Sequence, residues 1–276
     1  MTKILSENRV VDYQFNSDLD FNSIRSLVRD FSKFNKLDTD LILQKNSDSR
    51  KVKKLFVFDM DSTLIYQEVI ELIAAYAGVE DKVAEITTLA MNGEIDFKQS
   101  LAARVKLLKG IDSSIWEDLK LKIQITNGAY ELTKGLKKMG CKLAVLSGGF
   151  QPLADYVANE LKLDYAFANN LQTMIDPSGG KQIFSGITYG EVVDGNRKAD
   201  LLKQIADENS ISYDDAVAVG DGANDLKMMS VAGWGIAWNA KPKVQELAPC
   251  SLNSKSLKDI FYILGYDDNE IKSLLE

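Results

Sequence analysis

The stretch Lys54-Leu55-Phe56-Val57-Phe58-Asp59-Met60-Asp61-Ser62-Thr63-Leu64 limits what this chain can fold into more than any other. An apolar run of strand-forming residues stops at two aspartates one residue apart. A strand that is apolar on both faces belongs in a parallel sheet covered by helices on both sides. In such sheets, ligands gather beyond the carboxyl ends of the strands. Side chains two apart on an extended backbone point the same way, so Asp59 and Asp61 can share one pocket. Neighbouring carboxylates repel unless a cation lies between them or one holds a proton. Taken alone, the segment reads equally as a strand followed by an Asx-rich turn.

Two further strands end in similar fashion. Residues 142–146 form a short apolar strand that runs into Ser147-Gly148-Gly149. Residues 216–219 form another, ending in Gly220-Asp221-Gly222-Ala223-Asn224-Asp225. Around them the pattern predicts helices over 131–139, from Gln151-Pro152 onward and over 197–209. Strands are expected at 165–168 and 234–238, and a hairpin joins 173–175 to 183–188. This alternation implies an α/β fold, a doubly wound, Rossmann-like parallel sheet.

Two segments break the pattern. From about Tyr66 to Ile125 there are four amphipathic helices with the stripes Val69/Leu72/Ile73/Tyr76, Val83/Ile86/Ala90, Phe97/Leu101/Val105/Leu108 and Ile115/Trp116/Leu119/Ile123. The second is expected to stop at Asn92-Gly93, and Asp96 with Gln99 makes a capping box for the third. Four such stripes form a small bundle, here inserted at the carboxyl end of the first sheet strand, where a lid belongs. Residues 1–50 read as strand (10–15), helix (Ile24, Leu27, Val28, Phe31) and strand (41–43), a βαβ-like segment, with a polar linker at 46–50.

Composition excludes several functions. A net charge of −7 argues against a nucleic-acid or anionic-membrane surface. No apolar run approaches the ~20 residues that span a bilayer, and the N-terminus lacks the apolar region of a secretory signal. Only Cys141 and Cys250 occur, which suits a reducing, cytoplasmic setting. Histidine is absent, so Ser-His-Asp and Cys-His hydrolysis are excluded, leaving carboxylates, Lys and a hard metal. Four acids at strand ends (Asp59, Asp61, Asp221, Asp225) call for positive charge, and their hard oxygens select Mg²⁺.

With DMDST at the first strand, SGG at the second, Lys198 between, and GDGAND at the third, the chain resembles the haloacid-dehalogenase superfamily of phosphohydrolases. The text around these motifs (YQEVIELIAAYAGVE, DFKQSLAARVKLLKG, KLAVLSGGF, YAFAN, GIAWNAKP) is similar to its phosphoserine phosphatase family, of the cytosolic eukaryotic type. The resemblance runs from about Lys53 to the C-terminus. It implies a catalytic core over 51–66 and 127–276, a helical cap domain over 67–126, and an N-terminal segment that is half of an ACT-like unit at best. Packing or dimerisation is the role expected of that segment, and a homodimer is left open.

The resemblance also implies roles. Asp59 is the nucleophile that takes the phosphoryl group, and Asp61 the general acid and base. Mg²⁺ takes oxygens from Asp59 and Asp221 and the backbone carbonyl of Asp61, while Asp225 orients Lys198 or a metal-bound water. Ser147, Gly148 and Lys198 cradle phosphate, and Asn224 joins the substrate-binding set. Glu68 reads the substrate ammonium and Arg104 its carboxylate, with Met91 and Phe97 at apolar pocket positions. The ordinary alternatives are an exposed helix lysine for Lys198, a snorkelling Arg104, an acid favoured by the helix dipole for Glu68, and bundle core for Phe97. The expected activity is Mg²⁺-dependent hydrolysis of O-phospho-L-serine through an aspartyl-phosphate, the last step of serine synthesis. Its rivals are a phosphotransferase, a phosphatase for other small phosphates and a silent serine-sensing module. The intact set Asp59, Asp61, Ser147, Lys198 and Asp221 argues against silence.

Overall fold

The structure, a computed structural model, describes residues 1–35, 38–91 and 93–276. The Asn92 part of the expected helix stop and the Met91 side chain lie outside the described residues. Elements in chain order begin with β1 (Thr2–Ser6), β2 (Val10–Tyr13), α1 (Phe21–Asn35) and β3 (Leu55–Phe58). Helices α2 (Val69–Ala77), α3 (Glu80–Met91), α4 (Phe97–Lys106) and α5 (Ile115–Lys120) follow. The chain then forms α6 (Ala129–Lys138), β4 (Lys142–Phe150), α7 (Gln151–Leu161), β5 (Tyr165–Ile175), β6 (Gln182–Tyr189) and α8 (Gly195–Glu208). It closes with β7 (Ala216–Gly220), α9 (Leu226–Val231), β8 (Trp234–Trp238), α10 (Pro242–Leu247), β9 (Cys250–Leu252), α11 (Ile260–Ile263) and α12 (Asp268–Leu275).

The main sheet runs β6-β5-β4-β3-β7-β8-β9, parallel throughout except for β6. β3 sits between β4 and β7, with Phe58 opposite both Val145 and Val219. The order reverses there, so the crevice beyond β3 is the ligand position of a doubly wound fold. Alternate residues of β3 supply the two cores. Phe56 and Phe58 pack with α6, α7 and α11 on one face, and Leu55 and Val57 with α8 and α9 on the other. All four side chains are buried, which is why the strand reads as unbroken apolar sequence.

The helical insertion leaves and rejoins the core through paired chain. Ile65 bridges Ile125, and the Thr126 N–H donates to Leu64 O at 2.9 Å. The capping box of Asp96 and Gln99 forms as expected. Val69 and Ile73 of α2 face inward, whereas Tyr76, assigned to the same stripe, is half exposed. The hairpin β5–β6 reaches over to the insertion, where the N–H groups of Gly110 and Ser113 donate to Phe184 O and Gln182 O. Trp116 wedges between Phe150 and Phe184, with ring centroids 5.8 and 5.3 Å away.

The βαβ-like expectation for residues 1–50 is corrected to ββα. β1 and β2 pair antiparallel through a tight turn in which Asn8 takes a positive φ of 57°. β1 escapes the sequence pattern because Ile4 and Leu5 are adjacent instead of alternating, and a bulge separates Ile4 from Ser6. Residues 41–43 form no strand. The segment instead covers the open edge of β9 with side chains: Asp40 accepts from the Asn253 N–H, and Arg25 donates to Ala248 O. Arg50 ties the hairpin to the core by donating to Ile263 O (2.8 Å), Tyr262 O (3.2 Å) and Asp12 Oδ2 (2.6 Å). Arg50→Ala is expected to lower stability by about 2–3 kcal/mol in urea unfolding, because it leaves two carbonyls and a carboxylate short of a charged donor. It should leave kcat/KM near wild type.

Candidate active site

The chain turns sharply as it leaves β3. The Asp59 N–H still donates to Val219 O at 2.9 Å, continuing the sheet. Beyond it Ser62 takes a positive φ of 54°, and the Ile65 N–H returns to Met60 O. This tight loop holds both carboxylates at the strand end. Asp59, only 5% exposed, accepts at Oδ1 from the Met60 N–H (2.7 Å) and the Lys198 ammonium (2.8 Å). Asp61 accepts at Oδ2 from the Val69 N–H at the start of α2 (2.9 Å). Its Oδ1 is buried with no hydrogen-bond partner among the described residues. Burial, with the charges of Glu68 and Asp59 behind it, pushes the Asp61 carboxyl well above the ordinary range. A carboxyl shifted upward in this way is suited to act as an acid.

Lys198 is the pivot. Asp194 caps α8 by accepting from the Arg197 N–H, and one turn on, Lys198 enters the core fully buried. Its ammonium bridges Asp59 Oδ1 and Asp225 Oδ1 at 2.8 Å each. Burial alone favours neutral lysine, but Asp225 and Asp59 outweigh it and hold the ammonium charged. The exposed-lysine alternative is thereby excluded. Asp225 itself is raised by burial and by Asp59.

Asp59, Asp221 and Asp225 each present an oxygen, all within 4.8 Å of one another. Three carboxylates against one ammonium leave excess negative charge. Burial, then the charges of Asp59 and Glu68, lift Asp221 to about 7. An all-oxygen donor set short of positive charge fits a hard divalent cation. Both Asp225 oxygens are engaged, Oδ1 by Lys198 and Oδ2 by the Gly222 N–H at 3.0 Å, so Asp225 positions Lys198. Thr63, which the motif reading passed over, lies fully buried with its hydroxyl 3.4 Å from Asp221 Oδ1. Only its place two residues after Asp61 could have signalled it.

The Ser-Gly-Gly segment is the end of β4 itself, not a loop beyond it. Ser147 is buried, and its Oγ accepts from the Gly149 N–H at 2.8 Å. A Cβ on Gly149 would lie 3.0 Å from Ser147 Oγ and 3.3 Å from Asp61 Oδ1. One on Gly148 would lie 3.0 Å from the Phe97 ring and 3.9 Å from Asn224 Nδ2. A side chain at either glycine would press on these neighbours, and Phe97 roofs the strand end instead of serving only as bundle core. Glu68 stands at the N-cap position of α2 without a capping bond from its side chain, one residue ahead of the helical turn predicted for it, and accepts from the Ser62 hydroxyl at 2.6 Å. Burial, together with Asp59 and Glu71, raises its carboxyl despite that bond. Arg104 is half-buried on α4. Burial depresses its pKa while the charges of Glu68 and Asp61 draw it back, and its Nε donates to Ser100 O at 3.3 Å. The structure thus brings Asp59, Asp61, Lys198, Asp221 and Asp225 together at the carboxyl ends of β3 and β7, with Ser147 and Gly148 at the end of β4, Asn224 beside Gly148, and Glu68 bonded to Ser62 of the loop after β3.

Asp221 supplies a test that precedes any assay. In the unfolded chain its carboxyl titrates near 3.8, and in the folded metal-free protein near 7. Between these values the folded state holds the extra proton, so stability falls as pH rises through that window. Urea midpoints measured in chelator from pH 4 to 7 should decline, and Asp221→Asn should flatten part of that slope.

Comparison with known proteins agrees with this geometry. The model of the haloacid dehalogenase-like hydrolases matches residues 53–233. The phosphoserine phosphatase of Saccharomyces cerevisiae is 54% identical over 235 residues, covering 85% of this chain and 74% of its own. That of Lactococcus lactis is 45% identical, covering 74% of this chain and 92% of its own. A solved phospho-aspartyl intermediate analogue of phosphoserine phosphatase superposes with a TM-score of 0.69 at 43% identity, over 77% of this chain and 99% of that one. A substrate-bound phosphoserine phosphatase complex gives 0.69 at 42% identity, over 79% and 99%. The chain belongs to the haloacid dehalogenase-like hydrolases, in their phosphoserine phosphatase family.

Proposed function

We propose that this protein hydrolyses O-phospho-L-serine to L-serine and phosphate through an aspartyl-phosphate on Asp59. The observation that carries the reading is the pairing of Asp59, held by Lys198 at 2.8 Å, with a buried Asp61 that accepts from the Val69 N–H and whose carboxyl is shifted upward by burial. Asp59 attacks phosphorus, and the bond from phosphorus to the serine oxygen breaks. Asp61 gives its proton to the departing oxygen. Then, as a carboxylate, Asp61 takes a proton from the water that attacks the phosphoryl group, and Asp59 is regenerated. Lys198, Ser147 and Gly148 hold phosphate oxygens through these steps, with Asn224 beside them. Asp59, Asp221 and the backbone carbonyl of Asp61 would hold Mg²⁺, which supplies charge to offset repulsion between carboxylates and phosphate.

Substrate choice rests with the cap. Glu68 lies where an ammonium can pair with it, and Arg104 offers a planar fork for a carboxylate. One acid and one arginine above a phosphate site describe a phosphorylated amino acid. The reaction closes serine biosynthesis, and a cytoplasmic setting suits two buried, unpaired cysteines. A homodimer is supported by Ile4, Tyr13, Phe15, Leu27, Phe31 and Phe34, apolar side chains exposed on the first 35 residues.

Phosphate release from a panel of small phosphomonoesters, with and without Mg²⁺, tests the whole reading. Asp59→Asn should abolish turnover, and beryllium fluoride should modify Asp59. Near-normal turnover of that variant would remove the nucleophile.

The cap assignment has its own signature. Glu68→Gln should cost roughly ten- to two-hundred-fold in kcat/KM for phosphoserine, the worth of one charge-assisted contact. It should spare phosphoglycolate, which has no ammonium. Arg104→Ala should harm both yet spare phosphoethanolamine, which lacks the carboxylate. Equal losses on all three substrates would point to cap closure and not to recognition.

A further inference from the structure

Strands β4 and β5 fall out of step at the active site. Leu146 pairs with Phe167 and Phe150 with Asn169, so β4 advances four residues while β5 advances two. Ser147, Gly148 and Gly149 therefore stand against Ala168 alone, a surplus of two residues that bulges β4 out of the ladder. The side chain of Asn169, at 1% exposure, fills the gap. Its Nδ2 donates to Gly148 O at 2.8 Å and to Gly149 O at 3.2 Å, and its Oδ1 accepts from the Val193 N–H at 2.9 Å. The Val193 bond fixes which end of the amide faces the glycines, because an N–H requires the oxygen.

Two consequences follow for phosphate. The peptide between Gly148 and Gly149 is gripped at both ends, its oxygen by Asn169 and its N–H by Ser147 Oγ. With its oxygen accepting that bond, the Ser147 hydroxyl keeps its proton to donate into the crevice. Val193 immediately precedes Asp194, the residue that caps the helix carrying Lys198. One buried amide therefore sets the spacing between the glycine turn and the lysine helix.

We propose that Asn169 is a positioning residue for the phosphate subsite, registering Ser147 and Gly148 against Lys198. The proposal rests on the reading of that strand end as the phosphate cradle. Asn169→Asp keeps the shape and the acceptor for Val193 but turns an oxygen toward two carbonyls. Asn169→Ala removes the grip altogether.

The test measures kcat, KM and the inhibition constant of inorganic phosphate, with folding checked by circular dichroism and thermal melting. Both variants should lose at least about tenfold in kcat and bind phosphate about tenfold more weakly, the effect expected when one charge-assisted contact is misplaced. The loss should be the same factor for O-phosphoserine and p-nitrophenyl phosphate, because the lesion lies at the group they share. A folded variant with lower thermal stability but unchanged kcat and phosphate inhibition would overturn the proposal. So would a loss confined to phosphoserine. Failure of both variants to fold would assign Asn169 to core assembly instead. Should the wild type cleave p-nitrophenyl phosphate but not phosphoserine, the substrate reading falls while the phosphate-binding test of Asn169 stands.

Discussion

A fully buried ammonium between two buried carboxylates is the constraint on which the rest of this structure depends. Lys198 comes from α8, Asp59 from the end of β3 and Asp225 from the turn after β7. Removing such charges from water costs several kcal/mol per ion unless each finds its partner in good geometry. The sheet order and both helical layers must therefore be in place before the arrangement is favourable. The same burial makes the site chemically useful. It lifts the Asp61 and Asp221 carboxyls above their ordinary range, while Asp225 and Asp59 offset the burial of Lys198 and keep its ammonium charged.

Around that centre the chain shields what the sheet leaves open. The helical insertion covers the carboxyl ends of the strands, and Phe97 comes down on Gly148 so closely that no Cβ would fit without displacement. It is anchored twice, by the paired crossing at Ile65 and Ile125 and by the bonds from Gly110 and Ser113 to β6. At the far edge, β9 would expose unpaired backbone. Asp40, Arg25 and Gln44 from the N-terminal segment bond to backbone groups there and along the neighbouring chain. Covering an edge strand removes a template for unwanted pairing. Much apolar surface of the segment stays exposed nonetheless, including Tyr13, Phe15 and Phe34.

What the sequence by itself determined was the centre of the molecule. Leu55–Phe58 is buried on both faces, so its apolar run had one reading, and strand period alone put Asp59 and Asp61 at its end. The lack of histidine and the repeated strand-end aspartates narrow the chemistry to carboxylates, lysine and a hard metal. Tertiary structure decided what depends on neighbours remote in sequence. β1 was invisible because its stability comes from pairing with β2 and from contacts of Arg50 and Arg9 with the C-terminal region, not from its own alternation. The strand expected at 41–43 has apolar residues but no ladder partner. Asn169 carried no local signal of its role, since a buried amide acquires meaning only from the glycine carbonyls and the Val193 N–H that two other segments bring to it. Periodicity reports which face of an element is apolar, whereas hydrogen-bond partners and charge states are set by what the fold places within 3 Å.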